Sequence, residues 1–275
     1  MESTAQVDYA VEGEAALTNG EYLIAIERFT QAVRSNPRDA DAYHQRGFSY
    51  HQLGSLGLAL SDYDKALEID AQRPHTYTQR GVLYGMRGEY QTAIRDLNNA
   101  IQLDPNSVFA YMNRAVAFEN LQQPQNAIND YTKVTELKPG QADAFVNRGR
   151  IHEQLGSSDL AIADFTEAVR MQPRYALAWY YRAGVYAELG RHVEAVSDFE
   201  RAIRFAPEKA VIYGRRALVF QEVGNFESAI NDLTEAIRLE PENAAYYAMR
   251  SRVYLRTNQS AKARSDQEQA IRLSP

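Results

Sequence analysis

Residues 142–175 read ADAFVNRGRIHEQLGSSDLAIADFTEAVRMQPRY, and the same 34-residue pattern recurs along the whole chain. Seven of the nine prolines stand at 37, 105, 139, 173, 207, 241 and 275, all separated by multiples of 34 residues. The one vacant slot holds Ala71, with Pro74 shortly after it. A fixed period of this length marks an array of one small unit rather than a domain folded round one centre, so function belongs to the surface the units share.

With the proline at unit position 32, the repeats start at residues 6, 40, 74, 108, 142, 176, 210 and 244. Position 4 is then Tyr9, Tyr43, Tyr77, Tyr111, Phe145, Trp179, Tyr213 and Tyr247, aromatic throughout. Position 8 is always small, as Gly13, Gly47, Gly81, Ala115, Gly149, Ala183, Ala217 and Ser251 show. Position 20 is Ala in every repeat, and position 27 is Ala except for Val134 in the fourth. Positions 4, 8 and 11 share one face of a first helix, and positions 20, 24, 27 and 28 share one face of a second. Small residues at 8 and 20 allow the two helices to approach closely, with aromatics filling the space beside them. Gly20, Gly54, Gly88, Gly156, Gly190 and Gly224, at position 15, end the first helix with a residue that accepts positive φ. The proline at position 32 stops the second.

This in-phase series resembles the tetratricopeptide repeat over the chain from about residue 6 onward. The resemblance implies an all-α, right-handed superhelical solenoid of antiparallel helix pairs, about 16 helices in all for eight repeats. Residues 1–5 are an N-terminal extension on this reading, and 6–275 form a single array. In the last repeat, Arg264 and Gln267 replace the apolar residues of positions 21 and 24. A terminal unit needs such a polar face, so the last repeat is expected to cap itself near Pro275. A boundary inside a longer protein and association through the array ends remain alternatives.

A charge pair recurs with the period. Position 7 is Arg46, Arg80, Arg114, Arg148, Arg182, Arg216 and Arg250, and position 23 is Asp62, Asp96, Asp130, Asp164, Asp198, Asp232 and Asp266. The first repeat has Glu12 and Arg28, with both signs exchanged together. A joint exchange implies that the two positions touch, so these are expected to be partly buried structural ion pairs that set helix register.

Composition narrows the rest. There is no Cys, which excludes disulfides, thiolate metal sites and Cys nucleophiles. A net charge of −6 argues against a nucleic-acid backbone as ligand. No apolar run is long enough to insert into a membrane, and no signal peptide is visible, so the expectation is a cytoplasmic protein. His44 and His51 are two helical turns apart, about 10.5 Å of rise, which is too far to hold one metal unaided. With no nucleotide loop or nucleophile motif present, the reading is of a non-enzyme without cofactors.

In the family that the repeats resemble, positions 2, 5, 6, 9, 12 and 13 of the first helix face a groove. Position 6 carries Gln45, Gln79, Asn113 and Asn147, then Tyr181, Arg215 and Met249. A side-chain amide both donates and accepts, matching the N–H and C=O groups of a peptide backbone. The four amides are therefore expected to form a backbone-binding ladder. Phe109, Met112, Tyr180 and Tyr181 would serve as anchors beside it, with Arg150 and Arg215 among groove charges of both signs. Family members that clamp a terminal carboxylate carry a basic residue at position 5 and Asn at position 9. Position 5 here is Ala10, His44, Thr78, Met112, Val146, Tyr180, Gly214 and Ala248, and position 9 is never Asn, so that clamp for heat-shock protein tails is not expected. The function read from the sequence is a scaffold that binds an extended or helical peptide segment of a partner protein. The alternatives are a structural assembly subunit working through its convex face or by self-association, and the non-catalytic repeat region of a larger protein.

Overall fold

The small, aromatic and helix-ending residues of each repeat produce two helices of nearly constant length. In the computed structural model, which describes residues 8–274, sixteen helices follow one another with no strand among the described residues. By its contacts the chain divides into two compact units, residues 1–138 and 139–275. The first contains α1 (Tyr9–Thr18), α2 (Tyr22–Ser35), α3 (Ala40–Gln52), α4 (Leu56–Ile69), α5 (Pro74–Met86), α6 (Tyr90–Leu103), α7 (Val108–Asn120) and α8 (Pro124–Leu137). The second contains α9 (Ala142–Gln154), α10 (Ser158–Met171), α11 (Ala176–Glu188), α12 (His192–Phe205), α13 (Ala210–Glu222), α14 (Phe226–Leu239), α15 (Ala244–Arg256) and α16 (Ser260–Leu273). Inside each unit a first helix packs on its own second helix, and that helix packs on the first helix of the next repeat. Residues 1–5, read as an extension, and Pro275 lie outside the described residues.

The ends of the helices follow from local chemistry. Six glycines at position 15 adopt φ between 70 and 77°, and the two repeats without glycine place Gln122 and Asn258 in the same left-handed region, at 56 and 59°. Tertiary packing thus imposes the turn even on a glutamine, at a steric cost that glycine escapes. The residue before the periodic proline is extended, as a following proline requires; Asp104, for example, has φ −131° and ψ 91°. Asp70, before Ala71, has nearly the same geometry at −142° and 106°. Pro74 instead opens α5, at the first helical position, where a missing N–H costs nothing.

The small position 8 faces the large position 24 of its own repeat. A Cβ built on Gly149 would lie 2.8 Å from the Phe165 ring, and one on Gly13 would lie 2.7 Å from Phe29. The eight alanines of position 20 are all at most 2% exposed. Gly214, at position 5, makes a close fit to the next repeat: a Cβ there would stand 2.8 Å from the ring of Tyr246, a buried residue of α15. Arg264 and Gln267, on the last second helix, are exposed.

The position 7 and 23 charges meet in bidentate pairs. Arg46 Nη2 lies 2.7 Å from Asp62 Oδ1 and its Nε 2.8 Å from Oδ2. Arg80–Asp96, Arg114–Asp130, Arg148–Asp164, Arg182–Asp198, Arg216–Asp232 and Arg250–Asp266 repeat that fork, at 2.6–3.0 Å. The aspartates are buried, and the arginines nearly so. Arg28 and Glu12, at 3.2 Å, are 35% and 47% exposed, so the exchanged pair of the first repeat is a surface contact.

Most arginines also reach backward. Nη1 of Arg46, Arg80, Arg114, Arg182 and Arg250 donates to position 25 of the preceding repeat, which is Thr30, Asp64, Asn98, Thr166 and Thr234 respectively. The same guanidinium lies over the position 4 ring of its own helix, as for Arg182 at 4.9 Å above Trp179. One side chain therefore ties three helices together, which suits the planar five-donor fork of arginine.

Candidate functional site

Position 9, 12 and 13 residues of one first helix and position 6, 9 and 13 residues of the next enclose a cleft between α5 and α7 in one unit and between α11 and α13 in the other. In the N-terminal unit the cleft measures about 260 Å³ and lies between α5, which supplies Val82, Gly85 and Met86, and α7, which supplies Asn113, Val116 and Asn120. A Cβ on Gly85 would meet nothing within 4 Å, so the cleft is open there. Met86 is 60% exposed and Val116 43%, leaving apolar surface accessible to a guest. Asn113 Nδ2 donates to the Phe109 carbonyl at 2.7 Å, and Asn120 Nδ2 to the Val116 carbonyl at 2.8 Å. Each amide keeps one N–H and its Oδ1 for another partner.

The equivalent cleft of the C-terminal unit is smaller and charged. It measures about 130 Å³ and lies between Gly184, Ala187 and Glu188 of α11 and Arg215, Leu218 and Glu222 of α13, with Phe199 of α12 also lining it. Glu153 of α9 adjoins it, its Oε1 3.9 Å from where a Cβ of Gly184 would stand. Burial pushes the Glu153 carboxyl above its ordinary range, the nearby Glu188 adds to that, and Arg215 and Arg150 act in the opposite direction. Opposite Glu222 Oε2, at 3.5 Å, is Nδ1 of His192.

The residues singled out in the sequence fall into both units. Gln45 of α3, Gln79 of α5 and Asn113 of α7 are in the N-terminal unit, and Asn147 of α9 is in the C-terminal one; all four are half-buried. Phe109 is 52% exposed, so it is not consumed by packing between first helices. Met112 is half-buried. Tyr180 leans edge-on against Phe199 at 6.1 Å, and Tyr181 stacks on Phe165 at 5.7 Å, so both rings are anchored in the packing around them. The Arg150 guanidinium lies 5.5 Å above the Tyr181 ring, and Arg215 is exposed on the cleft. Sequence reasoning passed over Met86, Asn120 and the His192–Glu222 contact. The available signal was positional, because Tyr90 and Asn120 hold the same two repeat positions in the other cleft as His192 and Glu222 hold here.

Helix pairs of nearly constant length, joined at fixed turns and tied by a recurring arginine, define an all-helical repeat protein. The chain belongs to the tetratricopeptide repeat family: that family's model matches residues 11–74, 118–168, 146–210 and 215–275, and a further TPR repeat model matches 86–122. It is similar to Hsp70-Hsp90 organizing protein 1 of Glycine max, with 34% identity over 59 residues, which are 22% of this chain and 10% of that protein. This chain spans between 10% and 19% of the length of the curated relatives that it matches. Among solved structures, YrrB, a TPR protein with an unusual peptide-binding site, aligns with a TM-score of 0.60 at 25% identity, over 68% of this chain and 97% of YrrB. The C-terminal part of a TPR repeat-containing protein from Cytophaga hutchinsonii aligns with a TM-score of 0.72 at 18% identity, over 86% of this chain and 97% of that one, and shows the fold alone.

Proposed function

We propose that this chain is a protein–protein interaction scaffold that receives a peptide segment of a partner protein on the first-helix face of its repeats. The observation that carries this reading is the α5–α7 cleft, where exposed Met86 and Val116 lie beside two carboxamides with spare hydrogen-bonding capacity. Apolar surface with a few convergent polar groups is how a binding site combines affinity with orientation. A volume of about 260 Å³ lies below the roughly 300–1,000 Å³ of small-molecule pockets, so it suits one or two side chains of a longer ligand. YrrB, a relative described as having a peptide-binding site, supports the peptide mode. The likeness to organizing proteins supports a protein partner without naming it, because position 5 lacks the basic residue of the carboxylate clamp.

Panning a phage-displayed peptide library against the full chain tests the reading. Selected peptides should bind the Asn99→Glu variant, altered on the outer face of α6, as tightly as the unaltered chain. Val116→Glu should weaken those seated in the α5–α7 cleft at least about tenfold, roughly 1.4 kcal/mol. A library that yields no binder, or binders indifferent to Val116→Glu and to a matching Leu218→Glu, overturns it.

A further inference from the structure

The C-terminal cleft differs from its N-terminal counterpart in chemistry rather than position. Where one has Met86, Asn113 and Asn120, the other has Glu188, Arg215 and Glu222, and Glu153 Oε1 adjoins it beside Gly184. We infer that this face of α9, α11 and α13 accommodates a lysine or arginine side chain of the bound peptide, its aliphatic stem over Gly184, Ala187 and Leu218 and its cationic head among Glu153, Glu188 and Glu222. This inference rests on the peptide-binding reading and specifies the residue class that its second cleft selects.

Three observations support it. First, the dimensions fit: about 130 Å³ with an apolar floor and a charged rim holds one long amphipathic side chain, which buries its stem and keeps its head polar. Second, the carboxylates are under-compensated. Neither Glu153 nor Glu188 has a Lys or Arg nitrogen within the 4.0 Å of an ion pair among the described residues, and Arg150 and Arg215 act on Glu153 only through space. Glu153 is half-buried beside a like charge, an arrangement that disfavours its ionised form until a cation arrives. Third, the arginines that face the cleft have less need of an anion: Arg150 is seated on Tyr181 and Arg215 is exposed to solvent. His192 Nδ1, 3.5 Å from Glu222 Oε2, makes no hydrogen bond. Asp143, farther along α9, accepts the Tyr175 hydroxyl at 2.6 Å and is thereby occupied. The seat of Arg150 on Tyr181 shows, within the molecule, a guanidinium held on this same face.

The test isolates the second cleft by panning the same library on the full-length Val116→Glu chain. The expected result is enrichment of peptides with a Lys or Arg at a fixed place. Replacing that residue by norleucine or citrulline, or making Glu153→Gln/Glu188→Gln in the protein, should each weaken binding about tenfold, and the two changes together should cost little more than either alone. Circular dichroism of the Gln variants confirms that they fold. In a thermal melt without peptide, Glu153→Gln should melt no lower than the unaltered chain at neutral pH, because it removes a disfavoured charge. Peptides enriched in Asp or Glu, or basic peptides indifferent to the Gln variants, overturn this inference and leave the scaffold reading standing. No enrichment on either the altered or the unaltered chain overturns both.

Discussion

Replacing Arg182 by alanine should remove more stability than any exposed ion pair on this chain could supply. The guanidinium holds Asp198 through Nε and Nη2 at 2.7 and 3.0 Å and donates from Nη1 to Thr166 at 2.9 Å. Its side chain is 12% exposed and that of Asp198 7%, so truncation leaves a buried carboxylate with no cation. Breaking a buried pair in this way costs about 3–5 kcal/mol. That figure already contains the lost Thr166 hydrogen bond, roughly 1 kcal/mol, and the lost contact with Trp179, roughly 0.5–1 kcal/mol. Arg28→Ala, at the exposed pair of the first repeat, should cost less than about 1 kcal/mol. Arg182→Met/Asp198→Leu removes both charges and should return to within about 1 kcal/mol of the unaltered chain. Urea unfolding followed by the single tryptophan is the assay, since Trp179 sits 4.9 Å from the Arg182 guanidinium and reports on the C-terminal unit. If Arg182→Ala unfolds at the same urea concentration as Arg28→Ala, the arginines are not structural clasps and the burial argument fails.

Two further outcomes follow from local geometry. Gln122→Gly should stabilise the N-terminal unit by about 1 kcal/mol, because φ is 56° at this turn and glycine escapes the left-handed penalty; a lower unfolding midpoint would refute this. His44 is half-buried against Thr76, its Nδ1 2.9 Å from the Thr76 hydroxyl, and loss of solvent around it first, then Arg73 and His75, lowers its pKa from 6.5 to about 4. A histidine depressed in the fold is protonated more readily in the unfolded chain, so its contribution is intact above about pH 6.5 and lost as the pH falls to about 4. The full effect is about 3 kcal/mol. Urea midpoints measured across that window should fall more steeply for the unaltered chain than for His44→Gln, and parallel curves would count against the assignment.

Much of the architecture was legible because every repeat solves the same packing problem at the same spacing. Alanine at position 20 and a small residue at position 8 announce a close helix approach, and the Gly149–Phe165 and Gly13–Phe29 fits are that approach seen in space. The joint sign exchange at Glu12 and Arg28 pointed to a contact between positions 7 and 23, and those residues stand 3.2 Å apart. The backward reach of the same arginines escaped notice. Thr30, Asp64, Asn98 and Thr166 share a hydrogen-bond acceptor but neither charge nor shape, so no single residue type marks position 25.

The candidate surface was only half legible. Helical phase places Phe109, Tyr180 and Tyr181 on the groove-facing side of their helices, but phase does not say what the neighbouring helix offers them. Phe109 is left open, whereas Tyr180 finds Phe199 and Tyr181 finds Phe165. The amides of position 6 form a series in sequence, yet Asn113 spends one N–H on its own helix and the cleft draws Asn120 and Met86 in beside it. The sequence by itself therefore determined the period, the helix pairs, their turns and the clasp within each repeat. These contacts recur at one fixed offset along the chain, and repetition makes a fixed offset visible. Tertiary structure alone decided where the clefts open, which side chains remain free to meet a ligand, and that one cleft is amide-lined while the other carries Glu153 and Glu188, which have no paired cation among the described residues. Those properties come from side chains of different repeats brought together, and each is a local departure from the pattern that revealed the fold.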